Sequence, residues 1–358
     1  MARGKCKRRT FRKVEIKDMK YKALVTSDLI KPMLEQFSDK IDFYYDGYSL
    51  ENEVMKHEEL KEKIADYDIL ICEYDTIDRS ILDKADKLKL IICCRGGVKS
   101  VVDIDYAKEK GIIVCNNNGR NANAVSDMTI AYMLDLTRNI TLTNNLIHNK
   151  VITADMSSKP DEYADTVWGL DKNSPFIRFR GRSLNHMTLG LVGCGHAGVL
   201  VANKAKAFGV KIYAYDPYID PAKVPGFIEL VSFEKLLEIS DIISLHCIVS
   251  KDTKNLFDKE AFAAMKEGSY FINTARGELV VEADLIEALN NHHLAGAAID
   301  VTVTEPISSD SPLLNAENLI ITPHIAGSSY DVQVCGTQMV SDTLSDWLEG
   351  IEPRNLCL

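Results

Sequence analysis

The chain has 358 residues, 46% of them hydrophobic and 26% charged, with a net charge of −10. That length asks for two domains rather than one core, and no apolar run approaches the ~20 residues that span a bilayer. No basic stretch leads into an apolar export segment, and the acidic balance disfavours nucleic acid and anionic membrane as partners; a cytoplasmic protein is expected.

Residues 1–19 open the chain with clustered Lys and Arg and little apolar periodicity. They read as a solvated, disordered tail outside the fold, with Met19 as an alternative start. From Lys22 onward, strand-like runs at 22–27, 41–46, 68–74, 88–97 and 111–117 alternate with helical patterns at 30–37, 50–65, 78–85 and 103–110. Short Ile/Val-rich strands alternating with helices indicate a parallel sheet covered on both faces. Residues 123–150 read as one long linking helix. Residues 151–187 read as an irregular arm carrying Arg178, Arg180 and Arg182.

The alternation restarts at Thr188, with strands at 188–193, 211–216, 241–247, 269–275, 295–301 and 318–324. A last helix, near 329–349, returns to the first domain. The expected fold class is therefore α/β, with two doubly wound parallel-sheet domains, the first flavodoxin-like and the second of the Rossmann type. The expected divisions are 20–119 with 326–358 for the first domain, and 120–325 for the second.

Nine cysteines are present, none spaced as CxxC. Cys72, Cys93, Cys94, Cys115 and Cys247 sit in or beside apolar runs, as buried thiols in a reducing compartment do. No metal site is expected.

"LGLVGCGHAG" places Gly193, Gly195 and Gly198 in GxGxxG spacing after a strand and at the start of a helix, the context a dinucleotide site requires. N–H groups near His196 and Ala197 would face a pyrophosphate at the helix N-terminus. Asp216 ends the next strand and can accept from both ribose hydroxyls while repelling a 2′-phosphate, which favours NAD over NADP. Four further residues fall just beyond strand ends: Arg276, Asp300, Glu305 and His324. Open α/β sheets bind ligands at that edge. A guanidinium there can hold a 2-ketocarboxylate in a fork. An imidazole can exchange the hydroxyl proton during hydride transfer. Glu305 would stabilise the imidazolium, and Asp300 could fix the nicotinamide carboxamide.

On these residues the chain resembles the D-isomer-specific 2-hydroxyacid dehydrogenases, the superfamily that contains D-3-phosphoglycerate dehydrogenase. The resemblance covers about residues 20–355. It is carried by "LGLVGCGHAG", "SLHCIVSKDTKNLFDKEAFAAMKEGSYFINTARGELVVEADLIEAL", "AAIDVTVTEP" and "LIITPHIAG". It implies a catalytic triad of Arg276, Glu305 and His324. It further implies NAD contacts from Gly193, Gly195, His196, Ala197, Gly198, Asp216, Cys247, Thr274, Ala275, Arg276, Asp300, His324 and Gly327. By the same resemblance, backbone amides of Gly96, Gly97 and Val98 would meet the substrate carboxylate together with Arg276, and the chain would form a homodimer through about 120–185. Formate dehydrogenases of this superfamily carry Gln at the triad Glu, so Glu305 speaks against that branch.

Two departures stand out. The substrate loop reads "RGGVKSVVD" in place of a GxGxDN-like turn, and its Lys99 could meet a second anionic group on a substrate. "LHCIVS" lacks the proline common after that position. The competing function is a binding protein of the corepressor type that senses NAD(H) on the same fold; the net charge and the lack of long interaction tails disfavour it.

Overall fold

The computed structural model describes residues 20–152 and 174–357. The N-terminal tail and most of the arm expected at 151–187 lie outside the described residues. The chain divides into two compact units, one running to Asn121 and resuming at Ser328, the other spanning Ala122–Gly327.

The first unit is built on β1 (Tyr21–Val25), β2 (Ile41–Tyr45), β3 (Ile69–Cys72), β4 (Leu90–Cys93) and β5 (Ile113–Asn116). They are parallel, in the order β2-β1-β3-β4-β5, which is the flavodoxin-like plan. Alternation along β3 shows how both faces are used. Ile69 and Ile71 enter one apolar cluster, and Leu70 and Cys72 enter the other. The helix Tyr330–Leu348 closes one face: its Val340, Leu344 and Trp347 join Ala23, Val25 and Leu34 in the core.

The second unit holds β6 (Thr188–Val192), β7 (Lys211–Tyr215), β8 (Ile228–Leu230), β9 (Ile242–Leu245), β10 (Ser269–Asn273), β11 (Leu294–Ile299) and β12 (Leu319–Ile321). All are parallel, in the order β12-β11-β10-β9-β6-β7-β8. The order reverses between β6 and β9, the switch point at which doubly wound sheets bind nucleotides. One core face is aromatic. Phe257 is fully buried, with ring centroids 5.6 Å from Phe233, 5.7 Å from Phe262 and 4.9 Å from Phe271. Phe257→Ala should therefore cost about 3–5 kcal/mol of stability. Urea denaturation of the variant measures it, and a loss under about 1 kcal/mol would mean that the aromatic cluster does not anchor this face.

Three elements differ from the sequence expectation. The 50–65 stretch is not one helix. Tyr48–Glu51 ends at Asn52, whose left-handed φ of 56° stops it, and a second helix begins at His57. The linking helix likewise breaks into Ala122–Arg138 and Ile140–His148 at Asn139, also left-handed at φ 56°. Asn tolerates that conformation better than other side-chain-bearing residues; here its Nδ2 donates to the Phe179 carbonyl at 3.2 Å. Finally, β8 is a three-residue edge strand too short to leave a periodic signal.

Candidate active site

The cofactor loop follows β6. Gly193 has φ +99°, and a Cβ there would stand 2.7 Å from the Cys247 nitrogen. At Gly198 a Cβ would lie 2.3 Å from the Gly193 carbonyl oxygen, so the helix His196–Lys206 can start against the strand only with glycine. A Cβ at Gly195 would meet nothing within 4 Å; the backbone borders open space there, as a cradle for a pyrophosphate must. The helix has no side-chain cap, so the first-turn N–H groups of exposed His196 and of Ala197 are left for an anion. Asp216 ties this loop to the end of β7. Its Oδ2 accepts from the Cys194 N–H at 2.8 Å and its Oδ1 from the Tyr218 N–H at 3.0 Å.

Sequence reasoning missed the flanks of this loop. Tyr218, at 77% exposed, and Ile248, at 80%, present apolar surface after β7 and β9, on either side of β6. The Tyr218 hydroxyl donates to Asp252 at 3.1 Å and links the two loops. Such faces suit a flat base. Cys247 is partly buried, and burial pushes its thiol up to about 11, so it is a neutral group in this setting. The residues present therefore fit a dinucleotide.

The second half of the site lies at the ends of β10, β11 and β12. These strands are adjacent and parallel, so the loops that follow them emerge side by side, roughly 5 Å apart per strand. His324 follows β12, and its Nδ1 meets Glu305 Oε2 at 2.7 Å. The other Glu305 oxygen, Oε1, accepts from the Thr302 N–H at 3.2 Å, which fixes the carboxylate plane. The bond at Nδ1 leaves Nε2 as the outward nitrogen of a half-exposed ring. Arg276 follows β10 and is exposed. Its Nη1 donates to the Ala275 carbonyl at 2.6 Å, and it forms no ion pair among the described residues.

Two residues not singled out from sequence shape this edge. Buried Asn273 donates through Nδ2 to the Arg276 carbonyl at 2.8 Å and accepts from the Ala275 N–H at 3.0 Å. Gly277 packs so closely that a Cβ would stand 2.2 Å from the Thr302 carbonyl carbon. The Arg276 turn and the Glu305 loop are thus in backbone contact. Asp300 lies beneath rather than in the open: it is 1% exposed and accepts from the N–H groups of Ile325 and Ala326. Thr274 is also buried, its hydroxyl 3.3 Å from that of Thr129. Gly327 ends the turn after His324.

In the first unit, the loop after β4 carries exposed Gly96 and Gly97, then buried Val98 at the start of a single helical turn, Val98–Ser100. Among the described residues the N–H groups of all three lack an acceptor. Lys99 is exposed. No cluster of His, Cys, Asp and Glu among the described residues could hold a metal, and no helix there is long and apolar enough to cross a membrane.

A parallel sheet with a glycine cradle at its switch point is the arrangement with which doubly wound folds bind dinucleotides, and here an Arg, a Glu and a His follow the neighbouring strands. Residues 130–326 match the family model described as "D-isomer specific 2-hydroxyacid dehydrogenase, NAD binding domain". The chain is 33% identical over 293 residues to a hydroxypyruvate reductase of Blautia hydrogenotrophica, covering 82% of this chain and 86% of that protein. It is 36% identical over 303 residues to a D-3-phosphoglycerate dehydrogenase of Methanocaldococcus jannaschii, covering 84% of this chain and 53% of the relative; the chain thus spans about half of that protein's length. Among solved structures it is similar to the TT0316 protein of Thermus thermophilus, at 30% identity and a TM-score of 0.73, covering 94% of this chain and all of that one. The chain belongs to the D-isomer-specific 2-hydroxyacid dehydrogenase family. It is an NAD-dependent oxidoreductase of D-2-hydroxyacids and 2-ketoacids.

Proposed function

We propose that Arg276, Glu305 and His324 carry the chemistry, and that the substrate is a short 2-ketoacid of the size that the hydroxypyruvate reductase and D-3-phosphoglycerate dehydrogenase relatives are named for. The observation that carries this reading is the 2.7 Å Glu305–His324 contact beside an Arg276 that has no carboxylate partner among the described residues. Bound NAD(H) supplies the hydride acceptor or donor. Arg276 holds the carboxylate and polarises the carbonyl oxygen with its free N–H groups. His324 Nε2 gives the proton to that oxygen during reduction and takes it back during oxidation, while Glu305 compensates the imidazolium. Free amides of Gly96, Gly97 and Val98 are suited to a carboxylate, and the charge of Lys99 beside them could meet a second anionic group on a substrate. Gly193, Gly195, His196, Ala197 and Gly198 receive the pyrophosphate. Cys247, Thr274, Ala275, Asp300 and Gly327 border the cofactor, Thr274 and Asp300 from beneath.

The first unit is read as the substrate domain and the second as the cofactor domain. We further propose a cytoplasmic homodimer with no nucleic-acid partner, in keeping with the net charge of −10. Stereospecific oxidation tests the reading: NAD⁺ should be reduced with D- and not L-2-hydroxyacids, and equal rates with both would overturn it. Asp216 sets cofactor choice, because its carboxylate stands at the end of β7 where a ribose would lie. Asp216→Ala should weaken NADH by roughly 10-fold or more, on the scale of a charged hydrogen bond, and leave NADPH nearly unaffected. Fluorescence titration measures both, and equal losses would show that Asp216 does not read the ribose.

A further inference from the structure

The backbone of His324 is left-handed, with φ +56°, a conformation that costs a side-chain-bearing residue free energy and that the surrounding structure must offset. The strand that delivers it gives little. β12 has three residues, pairs only with β11 at the edge of the sheet, and is only partly buried along its length. The support is polar. The His324 N–H donates to the Asp300 carbonyl at 2.7 Å. The Asp300 carboxylate then accepts from the two residues that follow: Oδ1 from the Ile325 N–H at 2.9 Å and Oδ2 from the Ala326 N–H at 2.7 Å. Oδ1 also accepts from the Thr322 hydroxyl, and Thr322 in turn meets the hydroxyl of Tyr132.

The direction of this chain follows from its end. A carboxylate only accepts, so the single Thr322 proton goes to Asp300, and Tyr132 must donate to Thr322. Tyr132 lies on the helix Ala122–Arg138, is 4% exposed, and is pushed by burial up to about 12, so it keeps its proton at working pH. Its side chain is thus a permanent donor aimed at the residue two before His324.

We infer that Tyr132, Thr322 and Asp300 form a positioning network that fixes the turn carrying His324, so that a hydroxyl far upstream of the imidazole in the chain governs the proton-transfer step and not cofactor affinity. This rests on the reading of His324 as the acid/base.

Tyr132→Phe, Thr322→Val and Thr322→Ser test it, with His324→Ala assayed alongside. Tyr132→Phe should lower kcat by about 3–10-fold, the scale of one net hydrogen bond. Thr322→Val, which breaks both links, should lower it by about 10–100-fold, the scale of a misplaced catalytic group. Thr322→Ser, which keeps the hydroxyl, should restore kcat to within about threefold of wild type, and the NADH Kd should stay within about twofold throughout. Wild-type kcat in both Tyr132→Phe and Thr322→Val overturns the network while leaving the site reading intact, provided that His324→Ala is inactive. A parallel loss of kcat and NADH affinity that serine does not rescue also overturns it, since general damage to the fold would do the same. If Thr322→Val fails to fold, Tyr132→Phe, which keeps the ring, decides. An active His324→Ala would instead bring down the reading on which the network rests.

Discussion

His324→Ala should lower kcat for ketoacid reduction by about 10²–10⁴-fold, the usual contribution of a general acid, while the NADH Kd stays within about twofold. The split follows from where the ring sits. Nδ1 is taken by Glu305, so Nε2 is the proton carrier, and the half-exposed ring is not part of a buried core whose loss would unfold the domain. Glu305 keeps its second anchor at the Thr302 N–H, and the turn around residue 324 keeps Asp300 beneath it, so truncation removes the acid and little else. The pyrophosphate cradle at Gly193–Gly198 lies after β6, four strands away in the sheet order from β12, which His324 follows. Steady-state kinetics with a parallel fluorescence titration separates the two quantities. A loss of NADH binding that matches the loss of kcat would show that His324 serves the cofactor and not the proton.

Gly277→Ala should lower kcat/KM by about 100-fold or more, although it adds one methyl group. That methyl would stand 2.2 Å from the Thr302 carbonyl carbon, 2.4 Å from its oxygen and 2.5 Å from the Val303 nitrogen. All three are backbone atoms, so no side chain can rotate away. One of two segments must move by about an ångström, a displacement that costs on the order of 10² in rate at a reacting centre. Either movement is harmful. On one side is Arg276, held by Asn273 through its carbonyl. On the other is the Thr302 N–H that orients Glu305, with the next N–H, of Val303, held by Glu282 at 2.7 Å. Overpacking of this kind also costs about 1–3 kcal/mol of stability, which urea denaturation reads separately. Wild-type kcat/KM in Gly277→Ala would mean that the backbone contact does not set the Arg276–Glu305 geometry.

The sequence made the frame of this site legible because its signals are local. Glycines two and three apart after an apolar run mark the cradle. Arg276, Glu305 and His324 each follow a strand within a few residues, and a parallel sheet puts such residues on one edge. The supports were not legible, because they join distant positions or depend on backbone angles. Tyr132 meets Thr322 across 190 residues, and nothing in "TIAYMLDL" sets that tyrosine apart from a core aromatic. Asn139 sits inside an uninterrupted amphipathic pattern, and only its left-handed φ breaks the helix. Gly277 looks like an ordinary turn glycine until the Thr302 backbone is seen against it. Asp300 was legible as a strand-end acid. Its burial, and the three donors that converge on its carboxylate, were not.

The most direct test of the central claim is NADH oxidation against glyoxylate, hydroxypyruvate, pyruvate, phosphohydroxypyruvate and longer sugar-derived 2-ketoacids, with NADPH in parallel and chiral analysis of the product. The account predicts NADH-dependent reduction of at least one of these acids to the D-isomer, far slower with NADPH. NADH that binds but is not oxidised with any of them, or an L-product, would contradict it.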